Sequence, residues 1–198
     1  MKRLLAMLLV LTMVFCLCSC QRQEKMYIQK AELTKAEEKL AKLLGSGSGS
    51  ELIYDFKLDE KVRSISVSSY ELVDGEWQMI TGGGGLAFDK KEGRLALQFD
   101  DLSGGLRVAI QAGEDFFSAS KYDREPQGGD MSRATSVLAD REEIEYGKEI
   151  PLAVQIATTK TEIRSFIPDY YFTPEEYAQY GYEHVYVITV MFDTEALA

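Results

Sequence analysis

Apolar side chains recur at every second position through most of this chain. Leu52, Tyr54, Phe56 and Leu58 share one face, Ile65 and Val67 alternate with Ser64, Ser66 and Ser68, and Leu95, Leu97 and Phe99 alternate with Ala96 and Gln98. Leu106, Val108 and Ile110 repeat the pattern against Arg107, Ala109 and Gln111. A period of two is that of a strand with one face buried, and on a helix it would scatter the apolar groups around the axis. Asp74-Gly75 marks a tight hairpin, because a type I′ turn needs positive φ at both central residues. Its register predicts Leu72 opposite Trp77 and Tyr70 opposite Met79. Leu152 to Thr158 reads as a further strand, and the near-continuous apolar run Val185 to Phe192 reads as one central in its sheet. Between them, Thr173-Pro174-Glu175-Glu176 predicts a short helix from Pro174 to about Tyr180, capped by Thr173. Eight or nine short strands give a mainly β fold: an antiparallel β-sandwich with a short helical N-terminal stalk and one small inserted helix. An open barrel has the same periodicity.

Composition narrows the function classes. The 198 residues carry a formal net charge of −10, which makes a nucleic-acid partner unexpected. With 45% hydrophobic and 11% aromatic residues the chain is no disordered acidic tail. All three cysteines, Cys16, Cys18 and Cys20, lie in the first twenty residues, so the folded part is expected to hold no disulfide, no thiolate zinc site and no cysteine nucleophile. One histidine and no asparagine remain for chemistry.

Met1-Lys2-Arg3 followed by the mostly apolar stretch Leu4 to Leu17 reads as an export signal, too short to span a bilayer as a helix. Leu17-Cys18-Ser19-Cys20 resembles the lipobox of bacterial lipoproteins. That resemblance implies diacylglycerol on the Cys20 thiol, cleavage before Cys20, palmitate-type acyl chains in the membrane and an extracytoplasmic location at the cell envelope. Cys16 and Cys18 fit less well, because the bulky Phe15 falls at a position that the lipobox reserves for a small or aliphatic residue. Loss of Lys2 and Arg3 with the signal takes the net charge to −12. Residues 21–50 hold six Lys/Arg and four Glu, which leaves the rest of the chain at −14.

Thr34-Lys35-Ala36-Glu37 has capping-box spacing and predicts a helix from Lys35 to Leu44, with Leu33, Leu40, Leu43 and Leu44 on an apolar side. That side is read as resting on the body; a membrane-lying or self-associating helix is the alternative. Gly45 to Ser50 then reads as a flexible coil. The expected organisation is residues 1–19 as signal peptide, 20–50 as lipid-anchored helical and Gly/Ser tether, and 51–198 as the β-sandwich domain.

Several patterns were weighed as sites. Thr81 to Gly85 lacks the Lys-Ser/Thr of a phosphate loop and reads as a flexible strand connection. Ser118-Ala119-Ser120-Lys121 matches the Ser-x-x-Lys of penicillin-interacting enzymes without their other motifs. His184 has no cysteine partners for zinc and reads as a surface or partly packed residue. Residues 113–136 show no period and read as a long loop, whose Glu114, Asp115, Asp123, Glu125 and Asp130, with Asp100 and Asp101, are an alternative Ca²⁺ site without loop-motif spacing. No cofactor or metal is otherwise expected. Aromatics crowd the segment 166–186, and Tyr170, Tyr171, Tyr177, Tyr180 and Tyr182 are the candidate ligand-binding residues, set against the alternative that they pack a helix on the sheet.

Leu33-Thr34, Glu37-Glu38, Leu52-Ile53-Tyr54-Asp55-Phe56, Gly75-Glu76-Trp77, Gly105-Leu106-Arg107-Val108-Ala109, Glu149-Ile150-Pro151-Leu152 and Tyr182-Glu183-His184-Val185-Tyr186 together resemble uncharacterised small lipoproteins of Gram-positive anaerobes. The resemblance implies a membrane-anchored extracytoplasmic lipoprotein and carries over no site. The expected function is a non-enzymatic ligand-binding or interaction module for a carbohydrate or peptide, with the membrane and an envelope carbohydrate or protein as partners. The alternatives are a carboxylate-based, glycoside hydrolase-like enzyme and a structural accessory subunit of an envelope complex.

Overall fold

A computed structural model describes residues 25–44, 52–87, 89–121, 131–164 and 166–196. The expected signal, Cys20, the Gly/Ser run 45–50 and Asp123, Glu125 and Asp130 lie outside the described residues. Eleven strands form two antiparallel sheets. The first sheet has six strands: β1 (Tyr27–Lys30), β2 (Ile53–Lys57), β5 (Glu92–Gln98), β6 (Leu106–Ala112), β7 (Asp115–Lys121) and β9 (Glu142–Glu143), in the order β7-β6-β5-β2-β1-β9. The second has five: β3 (Ser64–Val73), β4 (Glu76–Ala87), β8 (Ser132–Val137), β10 (Glu149–Thr158) and β11 (His184–Asp193), in the order β4-β3-β11-β10-β8.

The alternation settles which face is inside. Tyr54 and Phe56 of β2, Leu95 and Leu97 of β5 and Leu106 and Ile110 of β6 are buried against Ile65 and Val67 of β3 and Ile188, Val190 and Phe192 of β11. Phe56 and Phe192 meet across the layers with ring centroids 5.5 Å apart, and the Tyr54 hydroxyl donates to the Leu152 carbonyl at 2.9 Å. Gln155 of β10 is a second cross-layer tie. Its Oε1 accepts from the Leu102 N–H at 2.8 Å, and its Nε2 donates to the Asp100 carbonyl at 3.1 Å and the Thr135 hydroxyl at 3.2 Å. A buried amide is tolerated only when its polar atoms are satisfied in this way.

The Asp74-Gly75 turn adopts φ of 53° and 85°, and its strands pair in the expected register, Leu72 with Trp77 and Tyr70 with Met79. The central position expected for Val185 to Phe192 is also found: β11 lies between β3 and β10, and its residues from Val185 to Val190 are buried.

Three expectations change. First, β1 lies inside the stretch read as tether. It is hydrogen-bonded between β2 and β9, with Ile28 opposite Phe56 and fully buried, so the sheet begins at Tyr27, ahead of the Gly/Ser run. Four residues are too short to show a period, and β1 pairs with β2, which is more than twenty residues further along the chain. Second, the glycine run is no loose connection but part of β4, paired with β3 through a register shift near Ser69. An edge strand needs only its backbone to pair, which glycine supplies. Third, among the described residues of 113–136, 115–121 belong to β7 and 132–136 to β8, so most of these are strand. Their exposed positions and edge location remove the alternation that marks a half-buried strand.

The helix α1 (Lys35–Leu44) forms where the capping box places it. The Thr34 N–H donates to Glu37 at 2.7 Å and the Glu37 N–H donates to the Thr34 hydroxyl at 3.3 Å. These bonds hold the Glu37 carboxyl down to about 2, with Arg94 adding to them. Arg94 then ties α1 to the sheet, reaching Glu37 at 2.9 Å and Asp55 at 2.7 Å.

Candidate binding cleft

The outer face of the five-stranded sheet is capped by the segment between β10 and β11. A 3₁₀ turn (Pro168–Phe172) and a one-turn helix, α2 (Glu175–Ala178), lay their side chains on Val154, Ile156 and Val185. The helix is shorter than expected, and its N-cap is Pro174, not Thr173; no side chain caps it, and the Thr173 carbonyl accepts a backbone turn bond from the Glu176 N–H at 2.9 Å. The Thr173 N–H is itself used by the preceding turn, donating to the Tyr170 carbonyl at 3.0 Å.

The five tyrosines singled out in the sequence divide into two groups. Tyr177 is 1% exposed, and its hydroxyl donates to the Ile167 carbonyl at 2.7 Å; burial pushes its ionisation well above the ordinary tyrosine range, with Tyr170 and Asp169 adding to it. Tyr170 meets it edge-on, centroids 5.6 Å apart. Tyr171 lies 5.4 Å from Trp77 and 5.8 Å from Tyr70, and the Trp77 indole N–H donates to its carbonyl at 2.9 Å. Glu149 gathers three hydroxyls beneath this cap, those of Tyr171, of Tyr70 at 2.6 Å and of Thr189 at 2.9 Å. Burial first, and the Glu149 carboxylate next, raise the ionisation of Tyr171 strongly. These three rings pack the cap onto the sheet.

Tyr180 and Tyr182 line a cleft, although Tyr182 also packs part of its ring against the same apolar cluster. Gly181 between them has φ of +56°, a left-handed residue at the end of α2 that β-carbons disfavour. The reversal sets the two rings side by side, centroids 5.6 Å apart, in an open cleft of about 860 Å³. The opposite wall is the polar segment that follows β10, namely Thr159, Lys160, Thr161, Glu162 and Arg164, with Gln179 completing the lining. Antiparallel pairing of β10 with β11 brings these two connections together.

The walls are fixed by hydrogen bonds. The Lys160 ammonium donates to the Tyr180 carbonyl and lies 5.8 Å from the Tyr182 ring centre; the Arg164 guanidinium lies 5.6 Å from that of Tyr180. The Arg164 N–H donates to the Tyr182 hydroxyl at 3.0 Å. Glu183 accepts from the Thr158 hydroxyl and, at 2.5 Å, from the Thr159 hydroxyl, and these bonds hold its carboxyl down to about 2. Among the described residues neither Lys160 nor Arg164 enters an ion pair, so the cleft presents two cationic heads and one carboxylate, Glu162, beside two aromatic rings. Such a surface can stack on a flat ligand face and pair with its anionic groups.

The other candidates fall elsewhere. His184 is half-buried at the start of β11, its Nδ1 2.8 Å from Glu71 and its ring stacked on Tyr186. Ser118 lies on the edge strand β7, where its hydroxyl accepts from the Arg107 Nε at 3.4 Å. Asp101 is committed to Arg133 at 2.6 Å and to Ser103 at 2.7 Å, and among the described residues no group of three or more His, Cys, Asp or Glu is placed to hold a metal. A second cavity of about 280 Å³ contains a carboxylate pair, Asp89 and Asp115, with the Lys90 ammonium between them at 3.4 and 3.2 Å.

Lys160 and Arg164 were not read as site residues from the sequence. A usable signal was there: a polar, cationic connection leaves one apolar strand, and the tyrosine-rich connection enters the strand that pairs with it. Compared with protein-family models, with curated proteins and with solved structures, the chain has no match, and the site rests on its own geometry.

Proposed function

We propose that this chain is a membrane-anchored extracytoplasmic lipoprotein, acylated at Cys20, whose β-sandwich is a non-enzymatic binding module for carbohydrate carrying carboxylate or phosphate groups. One observation carries the ligand class. Tyr180 and Tyr182 lie 5.6 Å apart in the same open cleft as Lys160 and Arg164. Rings take the apolar face of a sugar, hydroxyls of Thr159 and Thr161 and the Gln179 amide suit its hydroxyls, and the cations suit its acidic substituents.

The test is calorimetry of the processed chain with uronic-acid and phosphate-bearing oligosaccharides and their neutral counterparts. Binding to the charged set that weakens with salt, and that Arg164→Gln and Tyr182→Ala each reduce about tenfold or more, is the expected result. Equal binding of neutral sugars, or binding untouched by both substitutions, contradicts it. For the anchor, Cys20→Ala is expected to release the protein from the membrane fraction; continued retention overturns the acylation.

A further inference from the structure

The helix α1 leaves its best apolar groups uncovered. Leu40 is 54% and Leu43 80% exposed, while Glu37 and Ala41 are the half-buried positions of the helix. Glu37 ties the helix to the body through Arg94, and Leu40 and Leu43, expected from the sequence to rest on the body, are exposed instead. Lys35, Lys39 and Lys42, spaced by four and three residues, run along one flank beside those leucines. A short helix with leucines on one side and lysines beside them has the layout of an interfacial helix, whose apolar groups enter the headgroup boundary while lysines reach the phosphates.

The helix also sits close to where lipid must be. Only residues 21 to 26 separate Cys20 from the first sheet residue, Tyr27, a reach of at most about 25 Å fully extended. Arg94 lies in β5 between Gly93 and the core residue Leu95, so it stands on the outward face of the six-stranded sheet, and α1 meets that face through Glu37. The cleft belongs to the other layer, at the connections of β10 and β11 and beside the outer cap of the five-stranded sheet.

We infer that α1 is a second membrane contact: Leu40 and Leu43 enter an anionic lipid surface, turn the six-stranded sheet toward the membrane and leave the Tyr180/Tyr182 cleft facing away from it. The inference rests on acylation at Cys20, which supplies the leash; the helix supplies the orientation. At so short a tether the local concentration of lipid is high, so two leucines and three lysines need only bias the orientation of a protein already anchored.

The acylated full chain, reconstituted in phosphatidylcholine vesicles containing phosphatidylglycerol, tests this. Leu43→Cys and, separately, Gln179→Cys are labelled with an environment-sensitive fluorophore, the Cys20 thiol being blocked by its lipid. The label at 43 is expected to shift to the blue and to be quenched about twofold or more by lipids brominated in the upper acyl chain, with the label at 179 unchanged. Lys39→Glu with Lys42→Glu is expected to abolish the shift at 43 while the protein still floats with the vesicles. A protein that floats with an unquenched label at 43 overturns the inference and leaves the anchor standing. Energy transfer between labels on two copies, without quenching, assigns the leucines to self-association and also overturns it. Failure to float, with no acyl mass on Cys20, removes the anchor and the inference together.

Discussion

If β1 is a structural strand of the sandwich, Ile28→Ala will damage the whole domain. Ile28 is fully buried, pairs with Phe56 on β2, and lies in the core shared by both sheets. Truncating a buried Ile to Ala removes its transfer free energy and leaves a cavity, together about 2–5 kcal/mol. For a site with no exposure, between two paired strands, about 3–4 kcal/mol is expected. In a domain of this size each kcal/mol moves Tm by ~2–4 °C, so the drop is about 10 °C. Urea unfolding supplies the free energy, followed both by far-ultraviolet circular dichroism and by Trp77, the one tryptophan, which packs under the cap of the opposite sheet. Coincident transitions for both probes would show that loss at β1 is felt across the layers. Leu43→Ala is the comparison: at 80% exposure it is expected to change stability by less than about 0.5 kcal/mol in the absence of lipid. A loss below about 1 kcal/mol at Ile28 would refute the reasoning and return β1 to the tether.

Gln155→Leu leaves the buried Leu102 N–H without its partner and removes the bond to the part-buried Asp100 carbonyl, and a cost of about 1–3 kcal/mol in urea unfolding is expected. Gly181→Ala places a β-carbon at positive φ and 3.4 Å from the Lys160 Nζ; about 1 kcal/mol of stability and a displaced Lys160 signal in NMR spectra are expected, and an unchanged chain would contradict the turn. The Glu183 carboxyl is held down to about 2 from its ordinary 4.5 by the Thr158 and Thr159 hydroxyls. Because the folded chain binds that proton more weakly than the unfolded chain, this contribution is complete above about pH 4.5 and is lost as pH falls through about 2. Carbon-13 titration of the carboxyl with a midpoint near 4.5 in the folded protein would contradict the bond.

Much of the sandwich is legible in the sequence because its central strands have one wet and one buried face. The hairpin register follows from Asp74-Gly75, since the turn chemistry leaves one pairing. The edges are not legible. β7 alternates nothing because most of its side chains meet water, β9 has two residues, and β1 acquires its place from partners at residues 54–57 and 142–143. The aromatic segment shows the same division. Clustering of tyrosines marks it in the sequence, but only the fold shows that Tyr170, Tyr171 and Tyr177 pack the cap, while Tyr180 and Tyr182 line a cleft, Tyr182 also touching the packed cluster. Lys160 and Arg164 show in the sequence only as a polar, cationic connection, and they become a site when β10 and β11 pair. Glu149 and Glu71 are likewise unremarkable in the sequence, and take their roles from hydroxyls and an imidazole that other strands bring to them.

The central claim is that the β10–β11 end of the sandwich binds acidic carbohydrate through its paired tyrosines and cations. Nitrogen-15 NMR of the chain titrated with a uronic-acid oligosaccharide tests it most directly. The account predicts saturable shifts confined to residues 159–164 and 179–182, including the Arg164 N–H that donates to the Tyr182 hydroxyl, and no such shifts with the neutral sugar. Shifts centred on the second cavity around Phe116 and Phe117, or no saturable shifts at all with acidic sugars, would contradict it.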